Sequence, residues 1–370
     1  MSTTQIGCCQ MMAVVVEISS AKWLVGSYSG GKNVRKKALS QACPQARLSA
    51  LVAEVSTALE RAGGDAGTRV VVAYEAGQEG YWLVRALRAA GIEAEVIDAT
   101  SLQVDRRARR AKTDRLDAEA LARALYLWMS DGKALRMVRV PSLADEDARE
   151  WQRERDRLES ARRGGLDRIG KKLRTHGIWD WDAERLRQGS LRKLDGEPIG
   201  EMLQQVLLLE LERVEQTEQC LQQLSQCLGQ INPQTQARID QLYRLKGIGP
   251  VGSVALALLL YWRDFDNRRQ VGSCVGLVGT PYDSGTKRED QGISKIGDPR
   301  LRGLLIELAW LWLRYQPDSV ISQWFAQRTK GQGKRHKRIM IVAVARRLAI
   351  ALWRYLRDGI IPAGAQLKAA

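Results

Sequence analysis

Short apolar runs alternate with helical spacing through roughly the first third of the chain. The segment "MMAVVVEISSAKWLVGSY" (11–28) reads as a strand, a tight break and a second strand, because β-branched Val14, Val15 and Val16 suit a buried pleated surface. Leu48, Leu51, Val52, Val55 and Leu59 recur on one helical face and predict an amphipathic helix over 47–62. "TRVVVAYEAG" (68–77) predicts another strand, "GYWLVRALRAAGI" (80–92) a helix stopped by Gly91, and "EAEVIDA" (93–99) a further strand. Strand, helix, strand alternation predicts an α/β layer domain over 1–130.

The texture then changes. Strand signals vanish from about 143 to 240, and charged helix formers dominate. Val214, Leu221 and Leu228 repeat every seven residues, with Thr217, Leu224 and Ile231 as the companion row. Such a seam fits a helical hairpin or a dimer contact, and "NPQTQ" (232–236) ends it. We assign 131–240 to a helical coiled-coil linker. A mainly helical third block, 241–370, opens at "LYRLKGIGPVGSVALALLL" (242–260). It passes through a glycine-rich loop region (272–299) into "RLRGLLIELAWLWLRY" (300–315) and "GKRHKRIMIVAVARRLAIALWRYLRDG" (333–359). The fold class expected is α/β plus all-α.

Charge narrows the function. The chain of 370 residues carries a formal charge of +16, which points to a polyanion partner: DNA, RNA or an anionic membrane. No apolar run is long enough to predict a spanning helix, and "MMAVVV" is too short for a secretory signal, so nucleic acid is favoured and a cytoplasmic location is expected. The six cysteines form no CxxC pair and read as reduced thiols. With only His176 and His336, a zinc site or a serine–histidine relay is hard to build. Chemistry falls to carboxylates, hydroxyls and cations.

Four carboxylates stand out. Glu17 follows the first strand, Glu75 ends "VVVAYE", and Asp114 and Asp117 share a face at the start of a helix. Carboxyl ends of strands are where sites form in open sheets. Converging acids need a cation, and Mg²⁺ takes a few carboxylates plus substrate phosphate oxygens; two ions can clamp a phosphoryl displacement. The plain alternative for the aspartates is a helix cap and a solvated first-turn acid. Arg106, Arg107, Arg109, Arg110 and Lys112 lie directly before them and suit a nucleic-acid backbone led into a metal site, although such a run also reads as a solvated face. "LKGIGPVGS" (245–253), which contains Lys246, is similar to a helix-hairpin-helix turn that binds phosphate through backbone N–H groups; an ordinary Gly-Pro connection is the alternative. "GLVGTPYDSGTKREDQGISKIGDPRLRGLL" (276–305) gathers Ser284, Lys287, Arg288, Ser294 and Lys295 before a helix starting near Pro299, with Arg300 in its first turn. A serine there is a candidate phosphoryl nucleophile or a turn residue, with Ser294 the rival of Ser284. Trp310, Trp312, Trp324 and Trp353 read as core more readily than as base-stacking residues.

Taken in order, "YEAG", "RRARRAKTDRLDAEALA", "LKGIGPVGS" and "GLVGTPYDSGTKREDQGISKIGDPRLR" resemble the DEDD-type transposases of bacterial insertion sequences, also described as bridge- or seeker-RNA-guided recombinases. The likeness covers nearly the whole chain. It implies an RNase H-like, resolvase-like N-terminal domain, a coiled-coil linker and a C-terminal transposase domain with a nucleophilic serine. The family's four acids fall on Glu17, Glu75, Asp114 and Asp117, and its serine on Ser284. At the first acid this chain has glutamate where the family usually has aspartate. The resemblance further implies Mg²⁺, a structured guide RNA, donor and target DNA, and a homo-oligomer (dimer or tetramer) in which the acids of one subunit meet the serine of another. A junction-cleaving nuclease without a covalent intermediate and a non-catalytic RNA-binding protein are the competing readings.

Overall fold

The computed structural model describes residues 10–101, 114–133, 135–227, 231–284 and 287–369. The chain divides into two compact units, Met1–Pro141 and Ser142–Ala370.

The first unit is built on a five-stranded sheet of β1 (Met11–Ile18), β2 (Trp23–Tyr28), β3 (Arg35–Leu39), β4 (Arg69–Glu75) and β5 (Glu93–Ile97), in the order β3-β2-β1-β4-β5. Strands β1, β2 and β3 pair antiparallel, and β4 and β5 continue parallel to β1. Such a mixed sheet accords with the RNase H-like domain that the resemblance implies. Helices α1 (Pro44–Arg61) and α2 (Trp82–Ala89) bury Leu51, Val55, Leu83 and Leu87 against Met12, Val14 and Val16. Helix α3 (Asp114–Asp131) covers the opposite face, packing Ala118, Leu121 and Leu125 on Ala13, Val15, Val71 and Ala73. Both faces of β1 and β4 are therefore covered, which explains their unbroken apolar runs. Strand β3 escapes the hydrophobic pattern. "RKKAL" is an edge strand with its lysines turned to acids: Lys36 to Glu119 and Lys37 to Glu54, each at 2.6 Å.

In the second unit, α4 (Leu143–Arg174) and α6 (Glu201–Gln226) form an antiparallel pair, with the short α5 (Ala183–Arg187) between them in sequence. Trp151 donates to the Leu224 carbonyl at 2.7 Å, and Arg162 and Arg168 reach Glu218 and Glu210, so the contacts descend α6 as they climb α4. The heptad row is thus an intrachain seam. Val214 is buried, Thr217, Leu221 and Leu224 are half-buried, and Leu228 lies outside the described residues. The seam continues to Leu211 and Leu207 at the start of the helix. Gly165 of α4 admits the close approach, since a Cβ there would collide with the Val214 side chain.

A helical core follows: α7 (Pro233–Tyr243), α8 (Pro250–Leu259), α9 (Arg268–Cys274), α10 (Pro299–Tyr315), α11 (Val320–Thr329) and α12 (Lys334–Asp358). Trp312 is fully buried and its Nε1 donates to Ser319 Oγ at 2.9 Å, and Trp353 is buried too. The expected loop region holds an antiparallel hairpin, β6 (Gly279–Ser284) and β7 (Lys287–Ile293). Its sequence lacks apolar alternation and carries Pro281 beside a register shift, so it gives no strand signal.

Candidate active site

The register of β1 and β4 sets Val16 beside Tyr74, which makes Glu17 and Glu75 the next residues on two neighbouring parallel strands. Ala13 and Val15 of β1, like Val71 and Ala73 of β4, lie in the core under α3. Side chains alternate along a strand, so Glu17 and Glu75 emerge on that same face. Helix α3 runs against it in the opposite direction. The Arg69 guanidinium, at the start of β4, donates to the Met129 carbonyl near the end of α3 at 3.4 Å, and the Ala118 carbonyl lies over Gly26, the register partner of Val15. From Ala118 back to Asp114 the helix rises about 6 Å. From Val15 to Glu17 the strand advances about 7 Å. The first turn of α3 is thereby level with the carboxyl ends of β1 and β4. Asp114 stands one turn before Ala118 and Asp117 one turn before Leu121, both sheet-facing. The side chain of Asp114 lies outside what the structure describes.

Several acids of the unit are held by cations. Glu54 pairs with Lys37, Glu93 with Arg69, Glu95 with Arg88 and Glu119 with Lys36. The hydrogen bond from Lys36 holds the Glu119 carboxyl below its usual range. Exposed Glu75 and half-buried Asp117 have no hydrogen-bond or ion-pair partner among the described residues. Glu17 is half-buried. No three His, Cys, Asp or Glu side chains among the described residues stand close enough to share one ion. Carboxylate oxygens alone suit a hard divalent cation that keeps waters and takes phosphate oxygens as its remaining ligands.

The two candidate serines separate clearly. Ser284 ends β6 and pairs in register with Lys287, at the far end of the hairpin. Ser294 sits at its base, where its N–H donates to the Val278 carbonyl at 2.8 Å. Five residues of strand from Gly279 to Ser284 span about 17 Å. The base is locked to α9. Lys295 holds a left-handed φ of 56° and donates to the Gly276 carbonyl at 3.2 Å. Gly276 and Gly297 also have positive φ, and a Cβ on them would collide with the carbonyl oxygens of Ile296 and Cys274. The side chains of Ser284, Lys287 and Arg288 lie outside the described ones, as do residues Arg106, Arg107, Arg109, Arg110 and Lys112 altogether.

The remaining predicted contacts are partly engaged internally. Lys246 sits in the turn between α7 and α8, and its Nζ donates to Gln366 Oε1 at 2.8 Å. The Lys368 ammonium donates to the Ile248 carbonyl at 2.9 Å, tying the chain's last residues over the same turn. Asp298 caps α10 by accepting from the Arg300 N–H at 2.9 Å, and Pro299 takes the first helical position as expected. Sequence reading did not single out an arginine-lined groove of about 1180 Å³ along α12. Its residues come from segments far apart in the chain, and only the basic character of "KRHKR" signalled it.

Comparison with known proteins extends over the same elements. Residues 22–177 match a transposase family model of the DEDD IS110 type, and residues 239–324 match that of the transposase IS116/IS110/IS902 family. A Sinorhizobium fredii protein carrying the transposase name y4rJ is 38% identical over 374 residues, covering 96% of this chain and 94% of its own. A second protein of that organism, with the transposase name y4qE, is 28% identical over 78% of this chain and 76% of its own. The transposase for insertion sequence element IS1328 of Yersinia enterocolitica is 32% identical over 33% of this chain and 36% of its own. The match to a transposase runs nearly end to end and spans both the acid-bearing sheet and the serine hairpin: the chain belongs to the IS110 family of transposases, the DNA recombinases of mobile elements.

Proposed function

We propose that this transposase is an RNA-guided, site-specific recombinase that exchanges DNA strands through a covalent phosphoserine intermediate. The DEDD-type domain points to divalent-metal use; in this reading the metal is Mg²⁺, held by Glu17, Glu75, Asp114 and Asp117. The observation that carries it is that Glu75 and Asp117, at the strand end where α3 begins, have no partner among the described residues. Bound there, Mg²⁺ supplies Lewis-acid stabilisation of charge developing on phosphoryl oxygens. Ser284 Oγ attacks a DNA phosphorus; a Ser–O–P bond forms and one P–O bond of the phosphodiester breaks. The serine proton passes to solvent, while the freed strand end gains a proton as a hydroxyl. A hydroxyl end of the exchange partner then attacks the phosphoserine, restoring a phosphodiester and returning the proton to serine. The ester keeps the bond energy for rejoining.

Glu17 replaces the family's usual aspartate in this assignment; its longer arm starts from a strand end and can reach further. Arg106, Arg107, Arg109, Arg110 and Lys112 lead the backbone to the acids, and Lys246, Lys287, Arg288, Lys295 and Arg300 hold phosphates around the serine. The division 1–130, 131–240 and 241–370, the guide RNA, donor and target DNA, nucleoid location and a dimer or tetramer in which one subunit's acids meet another's serine follow from the family resemblance. No helix among the described residues is long and apolar enough to cross a membrane. Incubating the protein, its co-purified RNA and Mg²⁺ with a nicked suicide substrate tests the reading. A protein–DNA adduct supports it. Metal-dependent cleavage without an adduct supports the nuclease instead.

A further inference from the structure

Helix α12 has two faces of different character. Ile341, Val344, Leu348 and Leu352 are buried in the helical core. On another side, Arg335, Arg338, Val342, Arg346, Ile350 and Arg354 follow one another at intervals of three or four and border the 1180 Å³ groove. The facing wall is Ile321 and Trp324 of α11, with Gly279 and Ile293 at the base of the β6–β7 hairpin. Seven arginines line this groove and no acid does. None of the seven has an ion-pair partner among the described residues, and Arg347 instead lies over the Trp324 ring at 3.8 Å.

Cations crowded along one wall repel each other until an anion fills the space between them. A small inorganic anion would leave the Ile, Val and Trp floor unused. A chain of phosphates with flat bases uses both: guanidinium groups take phosphates, while apolar and aromatic side chains take base faces. A duplex keeps its bases stacked inward and offers that floor nothing. The volume exceeds the range of about 300–1,000 Å³ usual for small-molecule pockets and suits several nucleotides.

We infer that the groove between α12 and α11 binds a single strand of DNA next to the point of exchange. The choice of DNA rests on the proposed role of Ser284, because the hairpin bordering the groove carries that serine about 17 Å further on. A strand seated in the groove is thus directed along the hairpin toward the serine.

The full-length protein is titrated with a labelled oligo-dT, the matching duplex and an oligo-U of equal length. The expected order is dT tighter than U, with dT losing about tenfold in the doubly substituted Arg335→Ala, Arg338→Ala protein and its salt slope falling by about 0.7 per lost phosphate contact. Duplex affinity changes less than threefold. Both arginines are exposed on α12, and an unchanged thermal melt shows that the fold survives. A 5-iododeoxyuridine strand is expected to photo-cross-link to Trp324. Equal losses for single strand and duplex, tighter binding of U than dT, or cross-links only outside the groove overturn the inference. The two readings are separated by their readouts: an adduct found on another residue sinks the nucleophile assignment, whereas the groove inference stands or falls on the binding order and the Trp324 cross-link.

Discussion

The sheet end of the first unit and the α12 groove of the second are opposites in charge and alike in construction. Among the described residues, one leaves Glu75 and Asp117 without a partner where two strands end and a helix begins. The other leaves seven arginines without ion pairs to any described residue, beside an apolar floor. Other acids of the first unit are paired with cations, as at Lys36–Glu119, Lys37–Glu54 and Arg69–Glu93. Like charges left near one another repel, and a ligand of opposite sign relieves that repulsion. In the proposed mechanism the first region takes cations and the second takes phosphates, the two components a phosphoryl-transfer enzyme must bring together.

The comparison breaks most visibly at the aspartates. Asp114→Asn and Asp117→Asn are each expected to lower strand exchange by at least about 10²-fold, the scale of lost transition-state charge stabilisation. Nucleic-acid affinity, measured by gel shift, should stay within threefold, because arginines rather than acids hold the backbone. Normal exchange in either variant removes that residue from the metal set. Glu17→Gln is expected to be strongly impaired, and Glu17→Asp to retain exchange, since the family's usual residue is restored. Wild-type activity in Glu17→Gln would leave a site of three acids.

On the other side of the comparison, Gly276→Ala forces a non-glycine residue into a left-handed φ of 64° and drives its Cβ into the Ile296 carbonyl. The expected cost is about 2–4 kcal/mol, read as a drop in melting temperature, with exchange falling as the hairpin base shifts. An unchanged melt would show that the base is not locked as described. Salt supplies a graded test: affinity should fall with a log–log slope of about −0.9 per phosphate neutralised on duplex DNA. A flat curve from low to physiological salt contradicts a polyanion partner. The smallest effect is expected at Lys36→Met. Glu119's carboxyl is depressed by Lys36, so the pair's contribution is present above the unfolded carboxyl's pKa and lost as pH falls through the lower folded value. The variant's slightly lower melting temperature at neutral pH should merge with wild type in acid.

The strand-end acids were legible in the sequence because their position follows from local pattern alone. "VVVE" and "VVVAYE" are covered on both faces and reach a carboxylate at or one residue before the strand end, and the first turn of α3 follows its apolar periodicity. β3 and the serine hairpin were not legible. Edge and ribbon strands are held by backbone pairing and by ion pairs such as Lys37–Glu54, neither of which leaves an apolar alternation. The heptad row was visible, but whether it met a second chain or α4 depended on Gly165, some fifty residues earlier, admitting Val214. The groove was least legible. Its arginines on α9 and α12 are separated by more than sixty residues, and α12 shows a core stripe and a groove stripe that a single helical period cannot distinguish.

The central claim is that Ser284 becomes covalently joined to DNA. Adducts trapped on a suicide substrate in wild-type, Ser284→Ala and Ser294→Ala proteins, digested and read by tandem mass spectrometry, test it most directly. The account predicts a nucleotide on Ser284, no adduct in Ser284→Ala, and a slower but present adduct in Ser294→Ala, whose serine sits at the hairpin base. A nucleotide on Ser294, or an adduct that survives in Ser284→Ala, contradicts it.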